Sequence, residues 1–236
     1  MPDYGLLIKN VSGGIQIDSK SRNLSLDQSG SGVTISNNNT TDGYYTRINI
    51  TASPLVPLVL IRPSTDDFAG IRSYYKSGSN FAGIDATTMQ NQNTLIDLKT
   101  YRENITPSAE THGLRVYNSG GNLCFDSGKS YFKIFSVHTI NLAAPSNAYS
   151  DLGPYTDIIH SGISNPFYIL SPNSFWVLAE PPAYAGPLRM YMIGMKKLTA
   201  TSVRIGWFAC INCLHTYTTP LSGGNNPTMK LIVCAT

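Results

Sequence analysis

Cys210-Ile-Asn-Cys213, with His215 two residues beyond, is the sharpest reactive spacing in the chain. Such a pair holds zinc when a knuckle turn brings both thiolates to one metal, with His215 beside them and a fourth ligand such as Cys234. Structural zinc sites carry a second paired element, and this sequence has none. A redox Cys-x-x-Cys opens a helix after a strand, whereas Trp207-Phe-Ala leads into this one as a strand. Buried reduced thiols are the favoured reading. A zinc site made by Cys210, Cys213 and His215 and a disulfide stand behind it, and no metal or cofactor is assigned.

The other reactive groups point the same way. Cys124 has no His or Asn near it in sequence, and a nucleophile needs a positioned base. Asp18 and Asp126 occupy matching places in a repeated stretch, but each is followed by Ser, which fits a turn-capping carboxylate better than an acid/base pair. His112, His138, His160 and His215 show no spacing that puts two on one metal. A triple of His138, Asp126 and a serine can be drawn, yet serines and threonines are so plentiful that chance accounts for it. No catalytic residue is assigned, and the chain reads as a non-enzyme.

Aromatic side chains carry more. Tyr44, Tyr45, Tyr74, Tyr75, Tyr155, Tyr168, Tyr184 and Tyr217 fall near predicted loops and strand ends, many beside Asn, Gly or Ser. An exposed tyrosine supplies contact area at low entropy cost, so these eight are the interface candidates.

The elements that must position these groups are strands. Gly5 to Ser19 recurs as Gly113 to Ser127, aligned without a gap at an offset of 108 residues (113 minus 5), with Gly, Leu, Asn, Gly, Asp and Ser identical. Each copy alternates apolar and polar residues on both sides of a Gly/Asn/Ser turn, the pattern of a β-hairpin. Leu6, Ile8, Ile15 and Ile17 match Leu114, Val116, Leu123 and Phe125, and these should face a core. Leu7, Lys9 and Gln16 drift to Arg115, Tyr117 and Cys124 and should face out.

Beyond the hairpins, short strands recur at roughly ten-residue spacing. Tyr45 to Thr51 alternates as a half-buried strand, and Leu58 to Ile61 reads as a strand buried on both faces. Phe175 to Pro181 echoes Leu58 to Pro63, and Leu188 to Met192 echoes Ile71 to Tyr75. No window shows helical periodicity with a cap. The fold class that follows is all-β, two tandem β-sandwich domains related by internal duplication, residues 1–106 and 107–236.

Composition bounds the function. Charged residues make up 13% of the 236 and the net charge is +3, with basic residues scattered. Binding a nucleic-acid backbone needs a basic stripe, so nucleic acid is excluded as a partner. No segment approaches the ~20 apolar residues of a membrane span, so no membrane insertion is expected. Met1-Pro-Asp-Tyr lacks the basic and apolar regions of a secretory signal, so synthesis and assembly in a cytoplasm are expected.

The two hairpin stretches, Tyr4-Gly-Leu to Asp-Ser19 and His112-Gly-Leu-Arg-Val-Tyr-Asn to Asp-Ser127, resemble the opening hairpins of small tail-associated virion proteins of tailed bacteriophages and prophages. The resemblance implies a non-enzymatic part of a tail tip, baseplate or fibre attachment region, located in the virion tail and made in the host bacterium. It implies several copies, as a homo-oligomer or within an assembly, with other phage tail proteins as partners. It carries no catalytic residues. The alternative is a receptor-binding module whose loops contact a glycan or protein of the host surface.

Overall fold

The computed structural model describes residues 7–9, 15–18, 23–36, 45–89, 92–103, 106–143, 152–171, 175–178, 187–214 and 228–235. Among them every regular element is a β-strand. The first half holds β1 (Leu7–Lys9), β2 (Ile15–Asp18), β3 (Leu24–Ser36), β4 (Thr46–Ser53), β5 (Leu58–Pro63), β6 (Ala69–Ser77), β7 (Asn80–Thr88) and β8 (Asn93–Glu103). The second holds β9 (Arg115–Tyr117), β10 (Leu123–Asp126), β11 (Lys133–Asn141), β12 (Leu152–Ile159), β13 (Phe167–Ser171), β14 (Phe175–Leu178), β15 (Pro187–Thr199), β16 (Ser202–Leu214) and β17 (Thr228–Ala235).

Two sheets form a β-sandwich. Sheet I runs β11-β17-β13-β5-β8-β3, and sheet II runs β12-β16-β15-β6-β7-β4 with β14 also on β15. Each half lays three strands in sheet I and three in the main path of sheet II, in the same chain order. With β3 matched to β11, β4 to β12, β5 to β13, β6 to β15, β7 to β16 and β8 to β17, both sheets read the same from either end. The counterpart of β5 is therefore β13. Phe175–Leu178, expected in that role, is instead an additional strand hydrogen-bonded to β15, because sequence likeness between apolar runs does not specify which sheet a strand enters.

The two hairpins share one register. Leu7↔Asp18, Ile8↔Ile17 and Lys9↔Ile15 in the first become Arg115↔Asp126, Val116↔Phe125 and Tyr117↔Leu123 in the second, the same three pairings shifted by 108, with the same irregularity before the turn. In the second hairpin the turn is held by Asn118, whose Oδ1 accepts from Gly120 N and Asn122 N. Gly113 shows why this glycine is fixed: its φ is +134°, and a Cβ there would lie 2.4 Å from Ser127 Oγ. The expected facing is only partly kept. Val116 and Leu123 are buried, but Leu114 is 44% exposed and the drifting Cys124 is buried. The strand of Cys124 docks at Asn23, whose N and Nδ2 both donate to the Cys124 carbonyl, and this turns that side chain away from water.

Between the sheets lies one core drawn from both halves, including Ile35, Ile61, Ile84, Leu98, Ile140, Ile205, Trp207 and Leu231. Leu58-Val-Leu-Ile61 is buried on both faces, as the unbroken apolar run predicts: Val59 and Ile61 enter this core. Leu58 and Leu60 turn to the outer face of sheet I, where they pack with Tyr101, Phe167, Cys234 and Phe132. Strand period two assigns alternate residues to opposite faces, so an all-apolar strand demands cover on each side.

Like strand meets like strand where the halves join. Ile61 pairs with Tyr168 between β5 and β13, and Ala69 with Met195 between β6 and β15. Ser25 bridges Tyr131 ahead of β11, fastened by Leu26 N to Ser130 O at 2.7 Å and Phe132 N to Leu24 O at 3.2 Å. At the β6–β15 contact Gly70 faces Gly194. A Cβ on Gly194 would lie 2.4 Å from the Phe208 ring and 2.6 Å from Ala69 O. The paired glycines leave room for the Phe208 ring, which stacks on Phe68 at 6.0 Å.

Candidate functional site

Thr46-Arg47-Ile48 on β4 and Thr156-Asp157-Ile158 on β12 follow Tyr45 and Tyr155, so Tyr-Thr-x-Ile occurs at an offset of 110 residues (155 minus 45). Their registers agree as well: Arg47 lies opposite Asp85 on β7, and Asp157 opposite Arg204 on β16. Each cross-strand position carries an ion pair, with the charges exchanged between halves. Arg47 donates Nε to Asp85 Oδ1 at 2.8 Å and a second nitrogen to Oδ2 at 3.2 Å. Arg204 makes the same fork to Asp157 at 2.7 and 2.8 Å. The Arg204 guanidinium holds the Asp157 carboxyl below its usual range.

Tyrosines flank both pairs. Arg47 lies 3.7 Å over the Tyr75 ring and 5.4 Å over Tyr45, while Arg204 lies 3.9 Å over Tyr155. A guanidinium stacks well on an aromatic face, so these side chains form two ordered, partly exposed Tyr/Arg/Asp clusters. The first has an added cation: Arg72 sits 5.1 Å over Tyr45, at an irregularity of the β6–β7 pairing, and its buried nitrogen lacks a hydrogen-bond partner.

Of the sequence candidates, Tyr45, Tyr75 and Tyr155 thus belong to these clusters. Tyr74 is partly exposed and meets Phe81 edge-on at 6.1 Å. Tyr168 is a core residue: it is 3% exposed and its hydroxyl meets His160 Nε2 at 2.6 Å, so it is no surface contact. A strand end next to a loop looks exposed in sequence, but here the β12–β13 loop folds over it, with His160 N donating to Thr201 O and Asn165 N to Ala200 O. Tyr44, Tyr184, Tyr217 and His215 lie outside the described residues. The backbone of Cys210 and Cys213 lies within β16, a strand where a zinc pair needs a knuckle turn.

Reactive groups elsewhere are occupied structurally. Asp126 accepts from Ser108 N at 2.7 Å, Ser108 Oγ, Gly128 N and Arg115 Nε. The turn bond to Gly128 is the capping role expected of this carboxylate. Its carboxyl is buried, yet the hydrogen bonds outweigh desolvation and hold it down at about 2. With its oxygens so engaged it does not orient His138, whose Nε2 meets Ser136 Oγ at 3.0 Å. Burial pushes the Cys234 thiol up to about 12, which makes it unreactive. Among the described residues no three His, Cys, Asp or Glu side chains form a metal-binding group, and no helix is long and apolar enough to cross a membrane. A cavity of about 60 Å³ lies where β5, β13, β6 and β15 meet, lined by Leu58, Ile61, Ile71 and Ile193 among others. Ligand pockets run to ~300 Å³ or more, so it is a packing gap at the join of the halves.

The feature that sequence reading missed is the edge of the second half. Ile134, Phe135 and Val137 on β11 are 56%, 43% and 53% exposed, and Leu152, Tyr155 and Ile159 on β12 are exposed too. Pairing through β17 and β8 aligns Ile140 with Ile35, both buried, and places Ser29 at the position of Ile134. Ser31 and Gly32 take the place of Val137. The edge of the first half is polar where that of the second is apolar. Aligning Ile35 with Ile140 would have revealed this substitution, which the apolar pattern of either strand alone does not show.

No family model, curated protein or solved structure matches this chain.

Proposed function

We propose that this chain is a non-enzymatic structural component of a multi-protein assembly. On the resemblance of its hairpins, that assembly is the tail tip or baseplate of a bacteriophage, which it joins to neighbouring tail proteins through strand edges and Tyr-rich surfaces. The observation that carries the reading is the lopsided edge. Ile134, Phe135, Val137, Leu152 and Ile159 are exposed on β11 and β12, while the first half presents Ser29, Ser31 and Asn49 at the places of Ile134, Val137 and Ile159. A solitary protein gains nothing from such exposure, and the run of β11 from Ser136 to Asn141 carries none of the permanent charge, proline or bulge that normally blunts an edge. We infer further that the matched registers of the hairpins and of the Tyr-Thr-x-Ile strands descend from duplication of one half. Selection has kept its packing and turn positions.

Immunogold electron microscopy of intact particles with an antibody to this chain tests the assignment. Label at one end of the tail is expected; particles without the chain would overturn it.

A second reading is favoured by one cluster. Tyr45, Arg47, Arg72 and Tyr75 place two guanidinium groups and two rings on the outer face of sheet II, a platform suited to an acidic surface glycan of a host. Binding of the purified chain to an array of acidic glycans, lost in Arg72→Gln, would select this reading over the structural one.

A further inference from the structure

We propose that two copies of this chain join through β11, antiparallel about Val137, so that sheet I continues across a two-fold axis into the partner copy. The inference rests on the assembly reading above and names one of its partners as a second copy. Among the described residues β11 pairs only with β17, so the backbone groups along its other side remain open to a strand. The counterpart edge, β3, is closed to this use. It carries two register irregularities, at Leu26/Gln28 and Gly30/Val33, and its Gly32 N and Ser31 Oγ are tied back to Asp97. β11 has a single irregularity, at Ile134/Ser136, and runs regularly from Ser136 to Asn141.

The β11 sequence is compatible with itself in antiparallel pairing. With Val137 opposite Val137, Ser136 lies opposite His138, the irregularity at Ile134/Ser136 brings Ile134 beside Thr139 on the outer face, and Lys133, the one permanent charge on the strand, meets no second charge. Like charges opposed across a pair are destabilising, and none are opposed here. The contact also continues an existing apolar surface. Ile134 pairs with Cys234 and Val137 with Ile232, so both stand on the outer face of sheet I, where Ile232 and Cys234 already pack with Phe167 and Ile169. Joining the edges extends that cluster from one copy to the next. Pairing of β11 to the β3 edge of another copy would set Ile134 and Val137 against Ser29, Ser31 and Gly32 and leave them wet. An isologous two-fold contact is therefore favoured over a head-to-tail one.

The test is sedimentation equilibrium of the full chain, with Val137→Lys and the control Ser29→Lys, each checked for native far-ultraviolet circular dichroism. A wild-type dimer is expected, with the dimer Kd raised at least ~100-fold in Val137→Lys, where two lysines would face each other on the axis, and unchanged in Ser29→Lys. Mild oxidation of Val137→Cys should give a covalent dimer, since directly opposed residues bring their Cβ atoms within ~5.5 Å; Ser29→Cys should not. A monomeric wild type, or a dimer that persists in Val137→Lys and fails to cross-link through Val137→Cys, overturns the proposal. Immunogold labelling of particles by the wild type would then stand or fall independently.

Discussion

Asp126 and His160 are two buried titratable groups whose protonation the fold resists, the carboxylate being kept charged and the imidazole neutral. Four hydrogen bonds favour the Asp126 carboxylate and hold it at about 2, against ~3.9 in an unfolded chain. Its contribution is therefore complete above about pH 4 and is lost as pH falls toward 2. Asp126→Ala should cost about 2–3 kcal/mol, because Ser108 N, Gly128 N and Arg115 lose their acceptor; urea midpoints at pH 7 would measure this. Burial holds His160 below its ordinary value, so the unfolded chain takes up the proton first. Stability should then decline as pH drops below about 6.5. In His160→Gln, which keeps a polar partner for the Tyr168 hydroxyl, the loss that sets in below about pH 6.5 should vanish while the loss below about pH 4 remains. If the two variants have the same pH profile of thermal midpoint, the assignment of that step to His160 fails.

At the level of strands, what could be read in the sequence was what local chemistry decides. The hairpin at Arg115–Asp126 was legible because Asn118, Gly121 and Asp126 make its turns with neighbours a few residues away. β5 was legible because every residue from Leu58 to Ile61 is apolar. The partner of β5 was not: it meets β13 at a single residue pair, Ile61 and Tyr168, and nothing local distinguishes β13 from β14 as that partner. The ion pairs escaped notice for another reason, since Arg47 and Asp157 exchange charge between halves and so look unrelated until their strands are aligned. The close approach of β6 and β15 gives a prediction at this scale. Gly194→Ala would set a methyl 2.6 Å from Ala69 O and 2.4 Å from the Phe208 ring, and neither the backbone nor a stacked ring gives way cheaply. A loss of about 2–3 kcal/mol is expected in denaturant unfolding. Gly78→Ala, in a turn with open space around it but φ +61°, should cost only about 1 kcal/mol.

Across the whole molecule, each half supplies half of both sheets, and neither half covers its own inner edges. β5 and β6 of the first half are sheathed by β13 and β15 of the second, through Ile61↔Tyr168 and Ala69↔Met195. The core between the sheets runs through the join, with Ile61 and Ala69 in the same cluster as Tyr168 and Met195. The intact chain should therefore unfold in one cooperative transition, with the fluorescence of Trp176 and Trp207 and far-ultraviolet circular dichroism coincident in urea. Separated halves meet a different fate. A fragment of residues 1–106 keeps β3 to β8 but exposes β5 and β6 as two adjacent open edges, and Ile61 and Ala69 lose their cover. Because the second half offers those edges like strands in antiparallel array, a second copy of the fragment can offer the same. The fragment should accordingly be a dimer or an aggregate and never a stable folded monomer, while mixing it with residues 107–236 should restore a one-to-one complex. Analytical ultracentrifugation of the fragment alone and of the mixture decides this. A folded monomer of 1–106 with a cooperative melt would mean that each half is self-sufficient and that the join at β5 and β6 is a contact between finished domains.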